Sequence, residues 1–237
     1  MLSAKPWRSE AVIQFCGVQL ACFCLGVFLV GLLQVAGFKA FKSPDGFGAL
    51  LLATLSFQGV TWVLIYFFLR YHQVRGREIF GLSGPRWLHV LFLAFLTVLV
   101  MFPTTQWLQQ GSIFVMEKIG WPPEEETAVA LLAAAKSWWT RVYLGVFAVI
   151  IAPVAEEFIF RGVLYPFVKQ LGSPRSALFG VNAIFALIHM DAAAVVPLFA
   201  LALALTWLYE RTDNLLAPVL AHSLFNIAGL IEFYFAK

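Results

Sequence analysis

The chain has 237 residues, of which 61% are hydrophobic, 16% aromatic and only 12% charged, with a formal net charge of +3. Ordinary soluble domains are about 25% charged, so the composition is that of a membrane protein. The positive charge is scattered, with no run of like charges and no basic stripe interleaved with aromatics, which speaks against nucleic acid as a partner.

At about 20 apolar residues per crossing, the chain has room for seven or eight spans with short loops and none for a separate soluble domain. The N-terminal "MLSAKPWRSE" has the basic flavour of a signal peptide. The apolar run behind it, from Ala11 to Gly37, is too long for a signal-peptide core and reads as an uncleaved span. Cys16, Cys22 and Cys24 all fall in this run at spacings that match neither CxxC nor zinc pairs, and are packing residues.

Further apolar segments follow at 47–70, 87–109, 138–168, 175–190, 192–210 and 214–235. Between them lies loop chemistry: "KSPDG" at 42–46, "GLSGP" at 81–85, "GWPPEEE" at 120–126 and "LGSPR" at 171–175. Residues 124–136, acidic at the start and ending on Lys136, suit a short interfacial helix aligned with its dipole. With seven spans, Lys5, Arg8, Arg70, Arg75, Arg77, Arg86, Lys169, Arg175 and Arg211 share one side of the membrane. The other side holds Lys39, Lys42, Lys118, Lys136, Arg141 and Lys237, together with Glu117 and Glu124 to Glu126. The positive-inside rule then places the N-terminus in the cytoplasm.

Most polar residues sit at segment ends, and the exceptions gather in the last hundred residues. Glu156 and Glu157 lie deep in the fourth segment, with Arg161 one turn beyond Glu157 on the same face, able to neutralise it. Glu156 points about 100° away around the helix, which leaves one carboxylate free to titrate. A structural ion pair would need one acid, and a second adjacent acid is a cost without structural return.

Phe185 and His189 share a helical face in "FGVNAIFALIHM", and a lone histidine there is often a packing residue. Yet Glu156 precedes the turn at Ser173 by 17 residues and His189 follows it by 16, so an antiparallel hairpin brings the two to the same depth. His222 and Asn226 are again four apart, and taken alone could be a helix-helix hydrogen bond. Three segments that each present acid, imidazole or amide to the membrane interior are most economically solvated in one wet cavity. His72 and His89 beside the basic second loop read as solvated, Asp191 as part of an outer turn, and Gln19, Gln34 and Gln58 as interhelical contacts, while Ser223 has no triad partner but the adjoining His222, which faces elsewhere. In such a cavity Glu156 with His189 can activate a water, and His222 with Asn226 can stabilise an oxyanion.

The motifs "EEFIFR" (Glu156 to Arg161), "FALIH" (Phe185 to His189) and "HSLFN" (His222 to Asn226) resemble the EExxxR, FxxxH and HxxxN motifs of the CAAX protease and bacteriocin-processing (CPBP or Abi) family. That family includes an intramembrane glutamate protease, the Ras-converting CAAX prenyl endoprotease. The resemblance covers about 145–230 and implies a metal-independent peptide hydrolase with no cofactor. Glu156, His189, His222 and Asn226 would be its catalytic residues, with Glu157, Arg161 and Phe185 in support.

The expected fold is therefore all-α, a polytopic membrane helical bundle of seven to eight transmembrane helices. It forms one integral membrane domain over 1–237, with accessory helices in 1–140 and the catalytic core in 141–237. The expected partners are the lipid bilayer and a membrane-associated peptide or protein substrate. The expected location is a prokaryotic cytoplasmic membrane, since a short chain of spans suits a prokaryotic enzyme. Two other readings stay open: a zinc metalloprotease built from the same residues, although HExxH is absent, and a non-proteolytic immunity, scaffold or proton-linked transport protein.

Overall fold

A computed structural model of the protein describes residues 2–41, 47–80, 87–123, 127–135 and 137–235. The loop stretches at 42–46 and 81–85, Glu124 to Glu126, Arg86, Lys136 and Lys237 lie outside the described residues. All regular structure among the described residues is helical, with no strand.

Among the described residues six helices are long and apolar enough to cross a membrane: α1 (Ser9–Val35), α2 (Phe47–Tyr71), α4 (Trp87–Lys118), α6 (Trp138–Gln170), α8 (Val195–Thr212) and α9 (Leu216–Phe235). The shorter α3 (Gly76–Ile79), α5 (Thr127–Ala134) and α7 (174–187) lie between them. Each of the seven apolar segments thus holds a helix, but α7 reaches only about 21 Å at 1.5 Å per residue, short of the ~30 Å hydrocarbon thickness. The chain turns back just beyond it, where Asp191 Oδ1 accepts from the backbone N–H groups of Ala193 (2.9 Å) and Ala194 (3.2 Å) at the start of α8.

The bundle is sorted as a bilayer requires. Leu20, Phe28, Phe92 and Leu99 are each more than 60% exposed, a loss in water but no cost against acyl chains. Inside, Val90 and Ala94 of α4 meet Leu201, Leu205 and Leu208 of α8 and Ala217 and Ala221 of α9. On the other flank α1 approaches α2 through Gly26, where a Cβ would come 2.2 Å from Ser56 Oγ. Small residues permit such close helix packing.

Among the described residues four π-helical stretches interrupt the helices, at Leu55–Gly59, Phe147–Ile151, Phe158–Leu164 and Ala177–Val181. A π turn widens the helix and frees carbonyls, which cannot stay bare in hydrocarbon. In each stretch a side chain supplies a donor. Gln19 Nε2 donates to Phe57 O (3.1 Å), Asn226 Nδ2 to Ala148 O (2.7 Å), Trp7 Nε1 to Gly162 O (2.7 Å) and Asn182 Nδ2 to Leu178 O (2.6 Å). Gln19 also accepts from Thr61 Oγ1 at 2.9 Å, the interhelical role its isolation on an apolar span suggests.

Two of these substitutions trace to proline. Ala152 N–H reaches back five residues to Phe147 O, and the next residue in that register, Pro153, has no N–H to give Ala148. Likewise Pro166, four residues after Gly162, has none to give it, and α6 still runs on to Gln170.

Trp7 belongs to a segment preceding α1 that crosses one end of the bundle. Its ring is buried edge-on to Phe68 (4.9 Å) and His72 (5.0 Å). Lys5 Nζ pairs with Asp213 at 2.8 Å, Gln170 Nε2 donates to Lys5 O, and Arg8 N–H donates to His72 Nε2 at 3.0 Å. His72 is thus a packed anchor and not a solvated group. Burial raises the Asp213 carboxyl, but bonds from Lys5 and Ser3 and the Lys5 charge outweigh that and hold it below its ordinary 3.8.

Trp7→Ala should destabilise the protein by about 3–5 kcal/mol, the usual loss for a buried large aromatic, and Trp7→Phe by about 1–3 kcal/mol, since it strands the Gly162 carbonyl. Unfolding in detergent micelles measures both. Because the Asp213 pKa is depressed on folding, its pairing stabilises above pH 3.8 and is lost as pH falls through the lower folded value. Proteolytic nicking near residues 2–8 should therefore accelerate only in that acid range, and Asp213→Asn should nick readily at neutral pH.

Candidate active site

Glu156 and Glu157 sit in the short α-helical stretch Ala152–Glu157, between the two π turns of α6. Glu157 and Arg161 are both fully buried, and Arg161 Nη1 donates to Glu157 Oε1 at 2.9 Å, the i,i+4 pairing expected from the sequence. A buried guanidinium must satisfy all its donors. Arg161 Nη2 donates to Ala202 O (3.0 Å) and Asn182 Oδ1 (3.4 Å), and Nε donates to Thr206 Oγ1 (3.4 Å). Thr206 Oγ1 in turn donates to Asn182 Oδ1 at 2.9 Å. The open face of the guanidinium lies 4.6 Å from the ring centre of Phe185, a cation–π contact in a desolvated setting.

Phe185 is the hub around which α6, α7 and α9 converge. Its ring is wholly buried and stands edge-on to Phe160 (5.1 Å) and His222 (6.0 Å), with the His189 ring at 5.0 Å.

His222, from α9, is shared by both acids. Its Nδ1 is 2.8 Å from Glu157 Oε1, so Nδ1–H donates there, and its Nε2 lies 3.9 Å from Glu156 Oε2. That second distance is too long for a direct hydrogen bond. Glu156 keeps a 15% exposed side chain and makes no hydrogen bond among the described residues. Glu157 is fully engaged at Oε1, and its Oε2 is buried without a partner.

His189, the last residue of its motif, lies in the turn after α7 and is exposed. Its Nδ1 donates to Phe185 O at 2.7 Å, which leaves Nε2 with a free lone pair in the neutral ring. It has no direct hydrogen bond to Glu156. Asn226 commits one amide N–H to Ala148 O and retains a second.

The sequence reading overlooked Asn182 and Thr206, which complete the Arg161 cradle. Asn182 carried a signal: it lies seven residues before His189 on the same helical face, an amide inside an apolar run. Thr206 carried none, since threonines in membrane helices commonly bond their own backbone. Among the described residues no group of three or more His, Cys, Asp or Glu has metal-holding geometry.

Removing one member of a fully buried pair strands the other charge, so Arg161→Leu should cost about 3–5 kcal/mol of stability. Glu156→Gln, in a partly exposed and unbonded position, should change it by less than about 0.5 kcal/mol. Parallel unfolding of the two variants in micelles checks the contrast.

Residues 137–228 match the family model described as type II CAAX prenyl endopeptidase Rce1-like. The UPF0177 protein YxdF of Lactococcus lactis subsp. lactis (strain IL1403) is 27% identical over 81 residues, covering 34% of this chain and 44% of that protein. The chain therefore spans under half the length of this curated relative. No solved structure matches. The stretch that carries all three motifs, from the start of α6 into α9, is thus the stretch in which this chain matches the Rce1-like CAAX prenyl endopeptidase family.

Proposed function

We propose that the protein is an intramembrane endopeptidase that hydrolyses peptide bonds of membrane-associated peptides or proteins, with Glu156 as the general base and no bound metal. The observation that carries this reading is the asymmetry of the two acids. Glu157 is consumed by Arg161 and His222, whereas Glu156 is accessible, unbonded and held 3.9 Å from an imidazole nitrogen.

A water beside Glu156 Oε2 and His222 Nε2 can reach both. Glu156 takes its proton as the water oxygen attacks the peptide carbonyl carbon. The lone pair left on His189 Nε2 is suited to hold the same water from the α7 side. The tetrahedral oxyanion then accepts a hydrogen bond from the free Asn226 N–H and, when His222 carries a proton on both ring nitrogens, a second from its Nε2–H. As the C–N bond breaks, the proton held by Glu156 passes to the leaving nitrogen. Glu157 and Arg161 touch no substrate in this scheme; they orient His222 and keep the local charge fixed.

The similarity to an endopeptidase family over 137–228 supports the reaction class. Peptide maturation or turnover in a prokaryotic cytoplasmic membrane, with the N-terminus cytoplasmic, is the setting we assign, ahead of trimming prenylated CAAX termini.

The test is cleavage of a membrane-anchored reporter peptide by protein reconstituted in liposomes. Glu156→Gln and His189→Ala should each lower kcat by at least 10²-fold, within the range for a lost general base. Asn226→Ala should cost roughly 10²-fold, as for a lost oxyanion donor, and EDTA should have no effect. Cleavage that persists in Glu156→Gln would refute the assignment, and activity lost to EDTA and restored by zinc would replace it with a metalloprotease.

A further inference from the structure

At the end of the bundle that carries Lys169, Arg175 and Arg211, a cavity of about 690 Å³ opens between the end of α6, the first turns of α7 and the last turns of α8. Its walls are apolar, formed by Leu178, Phe179, Leu203 and Trp207. Phe179 and Trp207 are also about half exposed on the outside of their helices, so the cavity is continuous with the lipid-facing surface.

Its charge is unbalanced. The one acid present, Glu210, is already bonded by Lys169 and by Tyr165 Oη (2.8 Å). Arg175 and Arg211 are exposed and have no carboxylate partner among the described residues. Arg211 instead lies with its guanidinium 5.6 Å from the Trp207 ring centre.

We propose that this cavity binds an anionic phospholipid of the surrounding membrane, with the phosphate between Arg175 and Arg211 and an acyl chain along Phe179, Leu203 and Trp207. A soluble anion would satisfy the arginines and leave the apolar walls unfilled. An apolar peptide would fill the walls and leave two guanidiniums uncompensated. Only an amphiphile with a negative head matches both, and basic pockets between membrane helices are known to select such headgroups. The cavity is floored by Thr206, which accepts from Arg161 on its far side. The lipid therefore sits one side chain away from the cradle of the buried ion pair. The proposal concerns binding and stands apart from the hydrolysis reading.

The experiment uses the full-length protein in neutral detergent, titrated with phosphatidylglycerol or with phosphatidylcholine of the same chains, counting bound lipid by native mass spectrometry. Phosphatidylglycerol should be retained selectively. Arg175→Gln/Arg211→Gln should weaken it roughly thirtyfold, as for two cations each worth about 1 kcal/mol at an anionic surface, while phosphatidylcholine binding stays unchanged. Arg175→Lys/Arg211→Lys should keep most of the preference. If the glutamine pair does not fold, Leu203→Trp, which fills the wall without altering charge, should lose the lipid instead. Equal binding of the two lipids, full retention by the glutamine pair, or displacement of phosphatidylglycerol by inorganic phosphate alone would overturn the proposal.

Discussion

The buried pair between Glu157 and Arg161 is the constraint on which the rest of the core depends. Neither group is reachable by water, so its polar atoms can be met only by protein, and all but Glu157 Oε2 have a partner. That requirement recruits α7 through Asn182, α8 through Thr206 and the Ala202 carbonyl, and α9 through His222. Four helices are thereby locked in register by polar contacts, in a solvent where apolar packing alone discriminates poorly between helix faces. The pair adds little net stability over an apolar core of the same shape. Its effect is to specify which helix faces meet.

A second, quieter constraint is the backbone of α6. It carries two prolines and two π turns within about five helical turns, and such a helix would be unaffordable if its freed carbonyls faced lipid. The donors come from opposite ends of the chain: Asn226 in the last helix and Trp7 ahead of the first. The irregular helix that carries Glu156 and Glu157 is therefore held in place by residues more than 70 positions distant. This gives a physical reason for helices outside the matched stretch 137–228 to matter to a site inside it. Trp7 acts on α6, and Phe68 of α2 and Phe15 of α1 pack against Trp7, Phe158 and one another.

Much of this was legible in the sequence, and what was not has identifiable causes. Apolar run length located every long helix, because bilayer thickness fixes the period of the pattern. Helical spacing paired Glu157 with Arg161, since i,i+4 contacts need no tertiary knowledge. The α7–α8 turn was placed correctly near Asp191, but nothing in an apolar run announces that α7 stops short of a full crossing. Counting residues from Ser173 put Glu156 and His189 at one depth, yet depth says nothing about rotation, and no hydrogen bond joins the two side chains. Asn226 read as a free donor because the proline that occupies half of it, Pro153, lies 73 residues away and acts only through the missing N–H. Trp7 and Thr206 could not be found, since an indole before a span and a hydroxyl within one have ordinary local roles.

The two acids differ in what compensates them, and that difference explains why both are kept. Arg161 bonds Glu157 at 2.9 Å and is itself enclosed by Asn182, Thr206, the Ala202 carbonyl and the Phe185 ring. Hydrocarbon penalises net charge far more than dipoles, so a guanidinium committed in this way has to be matched by one buried carboxylate. Glu156 has no bonded cation among the described residues, and His222, held by Glu157, presents Nε2 to it at 3.9 Å. Under the reading proposed above, Glu157 and Arg161 fix the imidazole while Glu156 stays open to a water. One acid alone could not fill both roles, because the acid that neutralises the arginine is enclosed with it.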